Sequence, residues 1–191
     1  SVSHVLNSHP KAMELKAETR EKILSTAREM GYSRNELARA VATGHNRIIA
    51  FVSSNMGAAS YTAKIQEGVF AGAGARGYAV QFYHLNKDNH WKIVDETRKW
   101  RISGVVFHVP WHKMAADICA ELRADGIPFS FVNLRVDDPS VDWVTSDDFQ
   151  GAVDMVGHLA SMGHRKIVYL DYESPSEGNT FLPDRRLGFE E

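Results

Sequence analysis

The chain has 191 residues, 43% of them apolar and 24% charged, the composition of an ordinary globular protein and not of a disordered, collagenous or coiled-coil one. Its longest apolar runs, such as 48–52, fall far short of the roughly 20 residues that a membrane-spanning helix needs, and its one cysteine, Cys119, excludes an intrachain disulfide and a multi-cysteine zinc site. The net charge of −2 is unevenly spread: residues 1–47 carry eight Lys/Arg against five Glu, a net +3, which leaves −5 for the rest. A basic first segment ahead of an acidic body suggests a polyanion-binding module joined to a sensing domain. The lone cysteine fits a reducing, cytoplasmic setting.

In chain order, the first segment, SVSHVLN, places Val2, Val5 and Leu6 on one side of a helix and Ser1, His4 and Asn7 on another or along its flanks. Hydroxyl, imidazole and amide groups in that pattern suit phosphates and base edges. Residues 19–30 put Ile23, Leu24, Ala27 and Met30 at helical spacing, with Gly31 as a C-terminal stop. A second short helix is expected over 35–43, capped by Asn35 and ended by Gly44. Its few apolar residues make it marginal unless something packs against it.

After Arg47 short apolar runs alternate with amphipathic segments, which predicts an α/β fold around a parallel sheet. Strands buried on both faces are expected at 48–53, 79–84, 104–109, 128–132, 143–145 and 167–171, and helices at 61–76, 89–100, 112–124 and 148–162. Ligands of such sheets bind at the carboxyl ends of the strands. Gly72, Gly74 and Gly77 fit the dinucleotide spacing GxGxxG, but they end a helix and precede a strand, the reverse of the order in which that motif cradles pyrophosphate. They read instead as small residues for close helix packing and a helix stop. His108 and His112 have a metal-binding spacing for a helix, which Pro110 between them prevents. No cofactor, metal site or catalytic constellation is expected, and the chain reads as a non-enzyme.

The succession of segments is more informative than any one of them. SVSHVLN, ETREKILSTAREMGYSRNELARAVATG and RIIAFVSS, followed by GARGYAV, RISGVVFHVP, GIPFSFVNLRVDDPSVDWVTSDDFQGA, HLASMGHRKI and RRLGF, resemble, in order, blocks of the LacI/GalR family of bacterial transcription regulators. The resemblance implies a periplasmic-binding-protein-like α/β core preceded by a partial all-α helix-turn-helix headpiece. The implied organisation is a headpiece over 1–45 with a hinge helix at about 35–43, an N-terminal core subdomain over 46–145, and the start of a C-terminal subdomain over 146–191. It further implies that family segments before Ser1 and beyond Glu191 are absent, so that these 191 residues alone would neither bind an operator specifically nor close on a sugar. The turn between Asn7 and Thr19 is a few residues longer than the family's.

Carried over by position, the resemblance implies that Ser1, Ser3, His4 and Asn7 face DNA, with His4 the best candidate for a base edge. Asn35, Leu37, Ala38 and Val41 would belong to a hinge helix that folds on DNA, Val41 standing where the family usually carries Leu as its minor-groove wedge. Tyr61, His108, Asn133 and Arg185 match effector-pocket positions, although Asn133 stands where many members have Asp. The expected function is a DNA-binding regulator, a homodimeric repressor, controlled by a small-molecule effector for which a sugar is favoured. The alternative is a solute-binding protein of the same core fold.

Overall fold

The computed structural model describes residues 2–6, 9–32, 46–54, 60–86, 88–109, 113–136, 138–171 and 181–191. The chain divides into two compact units, Ser1–Gly44 and His45–Glu191. The expected hinge helix, with Asn35, Leu37, Ala38 and Val41, lies outside the described residues, as do Ser1 and Asn7.

The first unit holds α1 (Val2–Leu6), a 3₁₀ turn (Pro10–Glu14) and α2 (Ala17–Glu29). The turn falls between Asn7 and Thr19: the His9 backbone N–H donates to the His4 carbonyl (2.9 Å), and the His9 imidazole accepts from the Lys11 N–H (3.2 Å). Val5 and Ala12 are buried, whereas the apolar side of α2 is largely uncovered, with Ile23 and Ala27 half-buried and Leu24 and Met30 exposed.

In the second unit five strands form one parallel sheet in the order β2-β1-β3-β4-β5, with β1 Ile48–Ser53, β2 Ala79–His84, β3 Val105–His108, β4 Phe129–Val132 and β5 Asp142–Val144. Crossover helices follow the strands: α3 (Ser60–Ala75), α4 (His90–Lys99), α5 (Lys113–Ala124) and α6 (Asp148–Ser161), and α7 (Phe181–Glu190) ends the chain. Alternation along the strands sorts the core. Phe107 and Phe131 stack at 5.0 Å against Ile93, Ile118 and Leu122 of α4 and α5, while Phe51 points to the other face, 6.2 Å from Phe70 of α3.

Three expectations are corrected. Burial on both faces holds for most of β1 and β3; the central β4 is half-buried apart from Phe131, and the edge strands β2 and β5, with a neighbour on one side only, are half-buried and exposed respectively. Residues 167–171 form no strand: Val168 and Leu170 are 80% and 89% exposed, and no described strand pairs with the segment. The close packing expected at Gly72 and Gly74 is also missing. Among the described residues, a Cβ at Gly72 would meet only the Arg76 guanidinium at 3.9 Å, and one at Gly74 would meet nothing. Gly77 does terminate α3 in the left-handed region, with φ 72°, before β2 begins, so this GxGxxG stretch does not form a strand-to-helix phosphate cradle.

Candidate ligand-binding cleft

The chain's topology delivers four loops and helix starts to the carboxyl edge of the sheet. Tyr61 and Lys64 lie in the first turns of α3, just past β1; Asn133 directly follows β4; Ser146 and Asp148 follow β5. Together with Ile65 and with Arg185 from α7 they line a cleft of about 590 Å³, within the usual size range of small-ligand pockets. This is the edge at which parallel α/β sheets bind ligands.

Local chemistry explains each placement. Asn133 sits in the left-handed region at φ 59°, a conformation that Asn tolerates better than most residues, and its N–H donates to the Val144 carbonyl (2.7 Å), tying the ends of β4 and β5 together. Asp147 caps α6 by accepting from the Gln150 N–H (2.9 Å), which places Asp148 in the first helical turn, where the helix dipole favours a carboxylate. Asp148 accepts from Arg185 Nε at 2.8 Å and from the Ser146 hydroxyl at 3.3 Å, with its side chain only 11% exposed. The Arg185 fork is thereby oriented across the cleft, with donors suited to hydroxyl or carboxylate oxygens.

The RRLGF segment supplies that orientation. A Cβ at Gly188 would collide with the Phe149 carbonyl oxygen and come within 3.0 Å of the Ala152 Cβ. Only glycine lets α7 lie this close to α6, and the approach brings Arg185 onto Asp148.

Of the four positions expected to face an effector, the structure brings together Tyr61, Asn133 and Arg185. His108 is not among the described cleft residues. It does end a central strand, but the residue is 6% exposed, its ring stacked on Phe51 at 6.3 Å, with Nδ1 3.3 Å from the Ser53 hydroxyl. Burial pushes its pKa below the ordinary histidine value. Asp148, Lys64 and Ser146 were missed from sequence. Asp148 could have been found as the first-turn carboxylate of a helix that follows a strand's carboxyl end; Lys64 as the residue one turn after Tyr61 on the same helix face.

In the first unit, Ser3 is exposed, and His4 is half-buried with its ring stacked on His9 at 4.7 Å. Val2, Leu6, Ile23, Ala27 and Met30 line an open apolar groove of about 480 Å³. Among the described residues no group of three or more His, Cys, Asp or Glu could hold a metal ion, and no helix is long and apolar enough to cross a membrane.

A parallel sheet with a cleft at its carboxyl edge is the architecture in which α/β proteins bind small molecules. Residues 45–191 match the family of periplasmic binding proteins and sugar binding domain of the LacI family, and the chain belongs to that family. It is 25% identical over 187 residues to the HTH-type transcriptional repressor PurR of Mannheimia succiniciproducens, a match covering 91% of this chain and 51% of that protein. It is 23% identical to catabolite control protein A of Priestia megaterium, over 89% of this chain and 50% of that one. The chain thus spans about half the length of the curated relatives it matches. Among solved structures, the fold is similar to the lac repressor dimer bound to operator and the anti-inducer ONPF, with a TM-score of 0.65, 22% identity and coverage of 85% of this chain and 48% of that one. It is also similar to a transcriptional regulator CelR–cellobiose complex, with a TM-score of 0.63, 20% identity and coverage of 100% and 55%.

Proposed function

We propose that the protein is a cytoplasmic transcriptional regulator, a repressor, whose affinity for operator DNA is set by a sugar bound in the cleft. The observation that carries this reading is the convergence of Tyr61, Asn133 and Arg185 with Asp148 on one cleft at the carboxyl edge of the sheet. A sugar presents hydroxyls that both donate and accept, and this set answers them: Arg185 donates, Asp148 accepts, Asn133 does both, and the exposed Tyr61 ring offers an apolar face. His108 is assigned to the core and not to the ligand.

The family also contains periplasmic binding proteins, so the regulator must be favoured on other grounds. Two observations do so. Residues 1–47 carry the excess of +3, and the PurR match extends over 91% of the chain, which runs it into the first unit. In this reading Ser1, Ser3, His4 and Asn7 meet operator phosphates and base edges, and Asn35, Leu37, Ala38 and Val41 form the hinge. Two copies act together, since paired half-sites need paired DNA-binding elements.

Calorimetric titration of the native protein with a panel of mono- and disaccharides tests the cleft. Arg185→Lys keeps a cation for Asp148 but loses the planar fork, and it is expected to weaken the bound sugar by about tenfold, near 1.4 kcal/mol. Sugar binding that is saturable yet unchanged in this variant would place the ligand elsewhere.

A further inference from the structure

We infer that the sugar taken by this cleft bears an anionic group, a carboxylate or a phosphate, and that Lys64 selects it. The inference rests on the reading of the cleft as the effector site and concerns which sugars enter it. Three charged side chains line the cleft among the described residues: Lys64, Asp148 and Arg185. Asp148 is already matched to Arg185 at 2.8 Å, so one cation and the sole anion compensate each other. Lys64 forms no ion pair among the described residues. Asp184, beside Arg185 in the sequence, is paired with Arg135 at 3.4 Å.

The described residues that line the cleft therefore carry a formal excess of one positive charge. Its location adds to that field. Lys64 stands near the start of the 16-residue helix α3, whose first turn contains no acidic residue to offset the positive end of the helix dipole. A neutral sugar would displace water from the ammonium group and return only neutral hydroxyl acceptors, whereas a carboxylate or phosphate returns a charge-assisted hydrogen bond, roughly twice as strong. Tyr61, one turn earlier on the same helix, would hold the sugar ring while Lys64 takes its charged substituent.

Matched ligands decide the matter: glucose, galactose and ribose, each titrated into the native protein beside its aldonic acid and its phosphate ester. The best anionic sugar is expected to bind about tenfold more tightly than its neutral parent at low salt, with the advantage shrinking as ionic strength rises. Lys64→Gln should abolish that advantage, so that the anionic sugar and its neutral parent bind the variant alike, and Lys64→Arg should retain most of it. Preference for the acid or the ester identifies which anion the site takes. Equal binding of neutral and anionic partners, or an advantage that survives Lys64→Gln, overturns the inference and leaves the cleft reading intact. If Arg185→Lys leaves sugar binding unchanged, or no sugar binds, that reading fails and this one with it.

Discussion

His108 ends β3 facing Ser53 in the register of two parallel strands, ring against Phe51, with almost no contact with water. Desolvation holds its folded-state pKa below the ordinary value near 6.5, which it regains on unfolding. As pH falls through about 6.5 the unfolded chain takes up a proton that the folded chain resists, so this group's contribution to stability is present above that pH and is lost below it. Thermal melts are expected to show a midpoint falling between about pH 7 and pH 5, and His108→Gln should flatten the slope over that window. A slope identical in the variant would assign the pH dependence to other groups. The same residue marks where sequence stops being informative. Its position at a strand's carboxyl end was legible, but a strand end offers two faces, and packing against Phe51 decides which one the imidazole takes. Tyr61, Asn133 and Arg185 were carried over by position from the family resemblance, and all three line one cleft. Asp148 is recognisable in sequence only as a first-turn carboxylate; its pairing with Arg185 depends on a helix more than thirty residues away.

Gly188 shows how two helices depend on one hydrogen atom. In an exposed helix Gly→Ala stabilises by roughly 1 kcal/mol, because glycine has the larger backbone entropy to lose. Here the added methyl would run into the Phe149 carbonyl and the Ala152 side chain, and overpacking of this kind costs about 1–3 kcal/mol. The second effect is the larger, so Gly188→Ala is expected to lower the urea midpoint and, by parting α7 from α6, to weaken sugar binding through the Arg185–Asp148 pair. A raised midpoint would mean that the helices do not approach so closely. The elements themselves were largely readable: α3 to α6 follow their apolar stripes to within a residue or two, as 3.6-residue periodicity allows. Residues 167–171 have a strand's composition and no strand, since β structure is a property of pairs, and Tyr169 stacks instead on Phe189 of a helix at 5.2 Å.

At the scale of the whole molecule, the proposed function requires the cleft and the DNA-binding surface to share free energy. A ligand changes operator affinity only to the extent that it binds the two states of the protein unequally, and the coupling is then reciprocal. If the sugar changes the operator dissociation constant by some factor, operator DNA must change the sugar's by the same factor, on the order of 5–150-fold for typical couplings. Anisotropy titration of a duplex selected from a random pool, with and without saturating sugar, gives the first factor; calorimetry of the sugar with and without that duplex gives the second. Agreement between the two is expected, together with loss of operator affinity but not of sugar affinity in His4→Ala, and a fall in operator affinity as salt rises. Sugar binding with no effect on the duplex would leave the cleft a working site but remove the regulator. The solute-binding alternative would then be the better account, because a transport role needs the ligand equilibrium alone, whereas a repressor needs the product of the two.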